Sequence, residues 1–177
     1  MKNISLITLV ILLQSCNTTI NKTTADNKLT GSWSIVADQL IDSGNHVIKQ
    51  DTNVTGLLIY LPDGKMSVQI LWKGLRNSMI NDTIMKQDGM SAGLGLGFNT
   101  WSTDQARKII DTYDSYFGDY SVDWNTSVVT HIVSGNLRPE KEGTSYKRIF
   151  QLKGDSLFLR SIDPHLKWQV ACVKNKK

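Results

Sequence analysis

Cysteine and proline are scarce in these 177 residues, with two and three copies. Cys16 and Cys172 cannot make a disulfide framework, so the fold must rest on a packed core. Histidine is as sparse. His46, His131 and His165 stand alone, with no His-x-His or Cys/His spacing, which argues against a structural metal site. The glycine-rich run at 89–98 lacks the spacing and the Gly-Lys-Ser/Thr ending of a phosphate cradle, and no nucleophile-elbow motif occurs. Net charge is +4, yet the basic residues gather only at Lys147-Arg148 and in the 174–177 tail. Nucleic-acid binding calls for a basic stripe with interleaved aromatics, and there is none. The apolar run at 4–13 is about 10 residues, too short for a bilayer span. Nothing here calls for a cofactor, a metal or a nucleic-acid partner.

What the chain does have begins at that run. Lys2, the apolar segment 4–13 and Leu13-Gln14-Ser15-Cys16 follow the layout of a secretory leader. The cysteine after a small residue, with leucine three positions before it, resembles a bacterial lipoprotein lipobox. The resemblance implies a signal peptide at 1–15, diacylglycerol on the Cys16 thiol, and acylation of the new amino terminus. Two or more chains anchor stably where one does not. Asn17 rather than Asp follows Cys16, which by the rule of enteric bacteria favours the outer membrane. Residues 17–28 are polar and Asn/Thr-rich, too poor in apolar groups to order themselves, and read as a tether. The remainder, 29–177, is one domain of ordinary size.

That domain reads as short strands with regular turn signals. Strands are expected at 31–36, 46–50, 55–61 and 66–72, with a Pro62-Asp63-Gly64-Lys65 turn between the last two. Further strands are expected at 119–124, 127–134, 144–152, 156–161 and 166–173. One helix interrupts them over 102–116. Ser102 with Gln105 makes a capping box, and Ala106, Ile109, Ile110, Tyr113 and Phe117 make one apolar stripe. About nine antiparallel strands with short links predict an all-β, up-and-down β-barrel with one inserted α-helix.

Particular stretches carry a family resemblance. Gly31-x-Trp33 heads the first strand. Thr55-Gly56-Leu57-Leu58-Ile59-Tyr60 precedes Pro62-Asp63-Gly64-Lys65, and Phe117-Gly118-Asp119-Tyr120-Ser121-Val122 follows the helix. Val128-Val129-Thr130-His131, Asn136-x-x-Pro139, Gly143-Thr144 and Arg148-x-Phe150-x-Leu152-x-Gly154-Asp155-x-Leu157 complete the order. Over about 30–173 this resembles the bacterial lipocalin-like domain family. The resemblance implies a compact lipocalin-like barrel with an apolar cavity, and it carries no catalytic set.

Alternation assigns the inward side chains. In 118–124 they are Tyr120, Val122 and Trp124; in 144–152 they are Tyr146, Arg148, Phe150 and Leu152. In 127–134 either Val129, His131 and Val133 or Val128, Thr130 and Ile132 point in. The first set keeps Thr130 and Ser134 wet and is preferred. Tyr60, Trp72, Tyr120, Trp124, His131, Tyr146, Arg148 and Phe150 are therefore the candidate lining of a site for a small apolar or amphipathic ligand. Gly-rich 89–98 would gate it. Arg148 has two readings: contact to an anionic head group, or, like Arg160, closure of the barrel floor by a cation–π contact with Trp33. His131 is equally readable as a satisfied core histidine. Cys172 reads as a small strand residue. Two further functions stand beside ligand binding. One is an isomerase- or cyclase-type enzyme using His131, Tyr120 and Arg148; the other is a packed barrel acting through its surface.

Overall fold

A computed structural model describes residues 28–74 and 103–176. The expected leader, Cys16, most of the expected tether, the 89–98 run and Ser102 lie outside the described residues. The described residues form nine strands in chain order: β1 Gly31–Ile41, β2 Val47–Asp51, β3 Val54–Tyr60, β4 Lys65–Trp72, β5 Tyr113–Asp123, β6 Val128–Asn136, β7 Ser145–Lys153, β8 Ser156–Ser161 and β9 Trp168–Lys174. Helix α1, Thr103–Asp111, precedes β5, and a single 3-10 turn, Pro139–Lys141, lies between β6 and β7.

Every pairing is antiparallel. The order is β2-β1-β3-β4-β5-β6-β7-β8-β9, and β1 also pairs with β9. Eight strands thus close into an up-and-down barrel, and β2 is a flap on the far half of β1. Closure removes the free edges that an open sheet would expose. The β3–β4 hairpin turns where expected: Leu61 N–H donates to the Lys65 carbonyl at 2.8 Å, and Gly64 takes φ +89°. That φ is left-handed space, which glycine enters without a Cβ penalty.

Alternation sets the interior. Met66 and Val68 are buried on β4, Val129, His131 and Val133 on β6, and Phe150 on β7. The His131 set therefore faces in. Two bulges change the parity. Val36 is extra in the β1–β9 register, where Ile35 pairs with Cys172 and Ala37 with Ala171. Before it Trp33 and Ile35 face in; beyond it Asp38 does, while Gln39 lines an outer groove with Gln169. Buried Gln39 is satisfied there, donating to Gln50 and accepting from Gln169, each at 2.8 Å. A second shift, where Phe117 pairs with Gly135 and Gly118 with Val133, brings Asn136 to the inner face.

Two expectations are corrected. The helix ends at Asp111, not 116, because Tyr113–Asp119 pairs with β4. Thr112 closes it, its N–H and hydroxyl both donating to the Ile109 carbonyl at 3.0 and 2.7 Å. Strand pairing outcompetes the helical stripe: Phe117 is 59% exposed on the outer face of β5. The floor cation is also different. Trp33 donates Nε1–H to the Leu29 carbonyl at 2.8 Å, and Lys174 lies over its ring, 5.0 Å from the centroid. Arg160 instead lines the outer groove.

Gly118 marks a close approach of β5 to β6. A Cβ there would collide with the Ile132 carbonyl. We expect Gly118→Ala to lower unfolding free energy by about 2 kcal/mol or more in urea titrations, through overpacking. Exposed Ser121→Ala on the same strand should change it by less than about 0.5 kcal/mol.

Candidate functional site

The described residues line an open-mouthed cavity of about 570 Å³ at one end of the barrel. At this end β4 and β6 finish and β5, β7 and β9 begin. Ile35, Leu58, Val68, Ile70, Leu159 and Val170 make its apolar wall. Each comes from a strand position that alternation turns inward, so the wall is a direct product of the two-residue strand period. The opposite end is filled by Leu29, Trp33 and Leu157, all at most 1% exposed.

Polar groups converge on the cavity in three sets. At its outer end Trp72 donates Nε1–H to Asp38 at 3.1 Å. Nearby Arg138 pairs with Asp114 at 3.1 Å and with Asp111 at 3.7 Å. These pairs tie the β6–β7 connection to the end of α1 and the start of β5. Deeper in, the Arg148 guanidinium lies between two rings, with Cζ 4.9 Å from the Tyr146 centroid and 4.8 Å from that of Trp168. Stacking of this kind suits a weakly hydrated, planar cation. Among the described residues no carboxylate forms an ion pair with Arg148.

The third set is a buried hydrogen-bond chain. His131, 1% exposed, holds the Tyr60 hydroxyl at Nε2, 2.7 Å, and the Tyr116 hydroxyl at Nδ1, 3.0 Å. Three strands supply it, β3, β5 and β6, so neither partner is near His131 in sequence. Burial, then the neighbouring Arg148 charge, pushes the His131 pKa down to about 3. Burial raises both tyrosine hydroxyls well above their ordinary range, although Arg148 pulls Tyr116 the other way. Burial likewise pushes the Cys172 thiol up to about 12, so it is an unreactive wall residue at neutral pH. The described residues contain no cluster of three or more metal-ligating side chains.

Of the eight candidate residues, the structure brings Trp72, His131, Tyr146 and Arg148 together around the cavity. Tyr60 stands behind His131, fully buried. Tyr120 packs on Tyr60, with centroids 4.6 Å apart, and donates its hydroxyl to the Leu61 carbonyl at 3.0 Å. The tyrosines bonded to His131 are thus Tyr60 and Tyr116, not Tyr120. Trp124 lies in the β5–β6 turn, 46% exposed, edge-on to Phe150 at 5.3 Å. Alternation extended one residue past the strand end is what had turned Trp124 inward.

Sequence reasoning passed over Tyr116, Asp38, Asp114, Arg138 and Trp168. Tyr116 fell inside the expected helix, although Tyr116-x-Gly118-x-Tyr120-x-Val122 is a two-residue alternation that could have revealed it. Asp38 reaches the cavity only because of the bulge at Val36, which nothing local announces.

The low histidine pKa gives stability a pH dependence. Unfolded, His131 would titrate near 6.5; folded, near 3. Between these values the unfolded state binds the extra proton, so the contribution is complete above about 6.5 and is lost as pH falls towards 3. Relative to His131→Gln, the native chain should lose about 2 kcal/mol of unfolding free energy between pH 7 and pH 5. Parallel denaturant titrations of the two proteins check this, since all carboxylates are common to both.

A family model described as a lipocalin-like domain matches residues 30–170. Among solved structures, a lipocalin-like protein from Bacteroides uniformis is similar at 14% identity and a TM-score of 0.40, covering 83% of this chain and 98% of that one. No curated protein matches.

Proposed function

The chain belongs to the lipocalin-like domain family, and from that premise we propose that it is a lipid-anchored binding protein of the bacterial cell envelope, whose barrel holds a small apolar or amphipathic molecule. One observation carries the binding reading: the described residues leave about 570 Å³ open inside the barrel. Small-molecule sites commonly occupy about 300–1,000 Å³, mostly apolar with a few fixed polar groups. This cavity has that make-up. A barrel acting through its surface alone would gain by filling such a space, because an apolar void forfeits dispersion contacts.

The same geometry weighs against proton-transfer catalysis at His131. A ring held neutral down to about 3 has no imidazolium proton to give near neutrality and is a weak base. The anchor is the lipobox cysteine, Cys16, followed by a polar tether that leads to Leu29 at the floor of the barrel. Its membrane partner is bilayer lipid, with the outer membrane as destination.

Filling the cavity tests the binding reading. An environment-sensitive apolar dye should bind the native chain, and Val68→Trp should weaken it about tenfold or more while circular dichroism stays native. Equal dye binding by both proteins would place the dye elsewhere and count against the cavity. For the anchor, mass spectrometry of the protein from bacterial membranes should find the amino-terminal peptide starting at Cys16 with diacylglyceryl and acyl mass. An unmodified Cys16 would refute it.

A further inference from the structure

The buried chain Tyr60–His131–Tyr116 has a direction, and the direction says what head group the cavity takes. Tyr60 is fully buried, and among the described residues its hydroxyl has one hydrogen-bond partner, His131 Nε2. If Nε2–H donated to Tyr60, the tyrosine's own proton would be buried without an acceptor, an arrangement native cores avoid. Tyr60 therefore donates to Nε2. A neutral imidazole carries one proton, so Nδ1 holds it and donates to the Tyr116 oxygen. The Tyr116 hydroxyl proton is then committed to no member of the chain, and Tyr116 lines the cavity.

Arg148 lines the same cavity and brings donors only. Its guanidinium lies within hydrogen-bond reach of the Tyr116 hydroxyl, and its contact to the Lys147 carbonyl is long, 3.4 Å. The two carboxylates of the lining are engaged elsewhere, Asp38 by Trp72 and Asp114 by Arg138. Three cations, Arg138, Lys141 and Arg148, outnumber them. The polar interior therefore offers donors and positive charge in excess of its acceptors.

We propose that Arg148 and Tyr116 form a head-group subsite for the carboxylate of an otherwise apolar ligand, whose tail lies along Ile35, Leu58, Val68 and Ile70. A carboxylate is acceptor-only and matches the guanidinium fork. An alcohol brings a proton that needs an acceptor, and an amine meets the Arg148 charge. His131 and Tyr60 are positioning residues that hold the Tyr116 proton towards the ligand. The subsite rests on the cavity reading above, and the experiment separates the two.

Affinities of decanoate, 1-decanol and decylamine for the purified full chain would be compared by calorimetry. Decanoate should bind about tenfold or more tighter than decanol, the usual margin for a charge-assisted hydrogen bond. Arg148→Gln should remove that preference, and Tyr116→Phe should reduce it. Equal binding of decanoate and decanol, or a preference that survives Arg148→Gln, would overturn the subsite and leave the cavity standing. Binding of none of the three would overturn the cavity reading and the subsite with it. The direction has its own readout in the native protein. Nitrogen-15 spectra of His131 should show a protonated Nδ1 and a bare Nε2, and the opposite tautomer would overturn it.

Discussion

The hydrogen-bonded seam between β1 and β9 is what the other features of this barrel depend on. It runs from Trp33 against Lys174 to Leu40 against Trp168, nearly the whole length of β1. Without it β1 and β9 would both be open edges, and the apolar inner face would have no enclosed volume to line. The seam also forces a compromise. One strand has to pair with β9 along its length while passing from β3 on its other side to the β2 flap. The extra residue at Val36 absorbs that change. Its side effect is chemical, since the strand beyond it presents Asp38 to the cavity and sends Gln39 outward to Gln50 and Gln169.

The two ends of the barrel are held by different physics. At the floor, Trp33, Leu29 and Leu157 exclude water, and Lys174 covers the indole face from outside. This end is a packed core in the ordinary sense. At the other end the wall is apolar but the interior is not filled, and polar groups hold one another in pairs: Trp72 with Asp38, Arg138 with Asp114. Between the ends sits the Tyr60–His131–Tyr116 chain, which satisfies three buried polar groups across three strands. Burial strong enough to keep His131 neutral also makes each of its hydrogen bonds hard to dispense with.

How legible this was in the sequence varied with how local the signal was. The strands β3 and β4 and their turn could be read almost to the residue, because Pro62-Asp63-Gly64 and the Met66-x-Val68-x-Ile70 alternation are local physics. The inward face of β6 could be read because only one register leaves Thr130 and Ser134 in water. The helix could be read at its start and not at its end. Residues 113–117 satisfy both a helical stripe and a strand alternation, and the pairing partner that decided between them, β4, is some fifty positions away in the chain. The site was half legible. Trp72, His131, Tyr146 and Arg148 lie on well-formed strands, so their orientation followed from their neighbours. Trp124 lies just past a strand end, where alternation no longer governs direction, and Asp38 lies beyond a bulge, where it inverts.

The sequence by itself determined the strand count, the antiparallel class and the apolar inner face. These follow from side-chain period and turn chemistry, which act over a few residues. It also carries the resemblance to a lipobox, which is written in four consecutive residues, Leu13-Gln14-Ser15-Cys16. The tertiary structure alone decided which cation covers Trp33, which tyrosines bond His131, and which polar groups meet in the cavity. Those contacts join strands far apart in the chain, and the register and bulges that align them are settled by closing the sheet on itself.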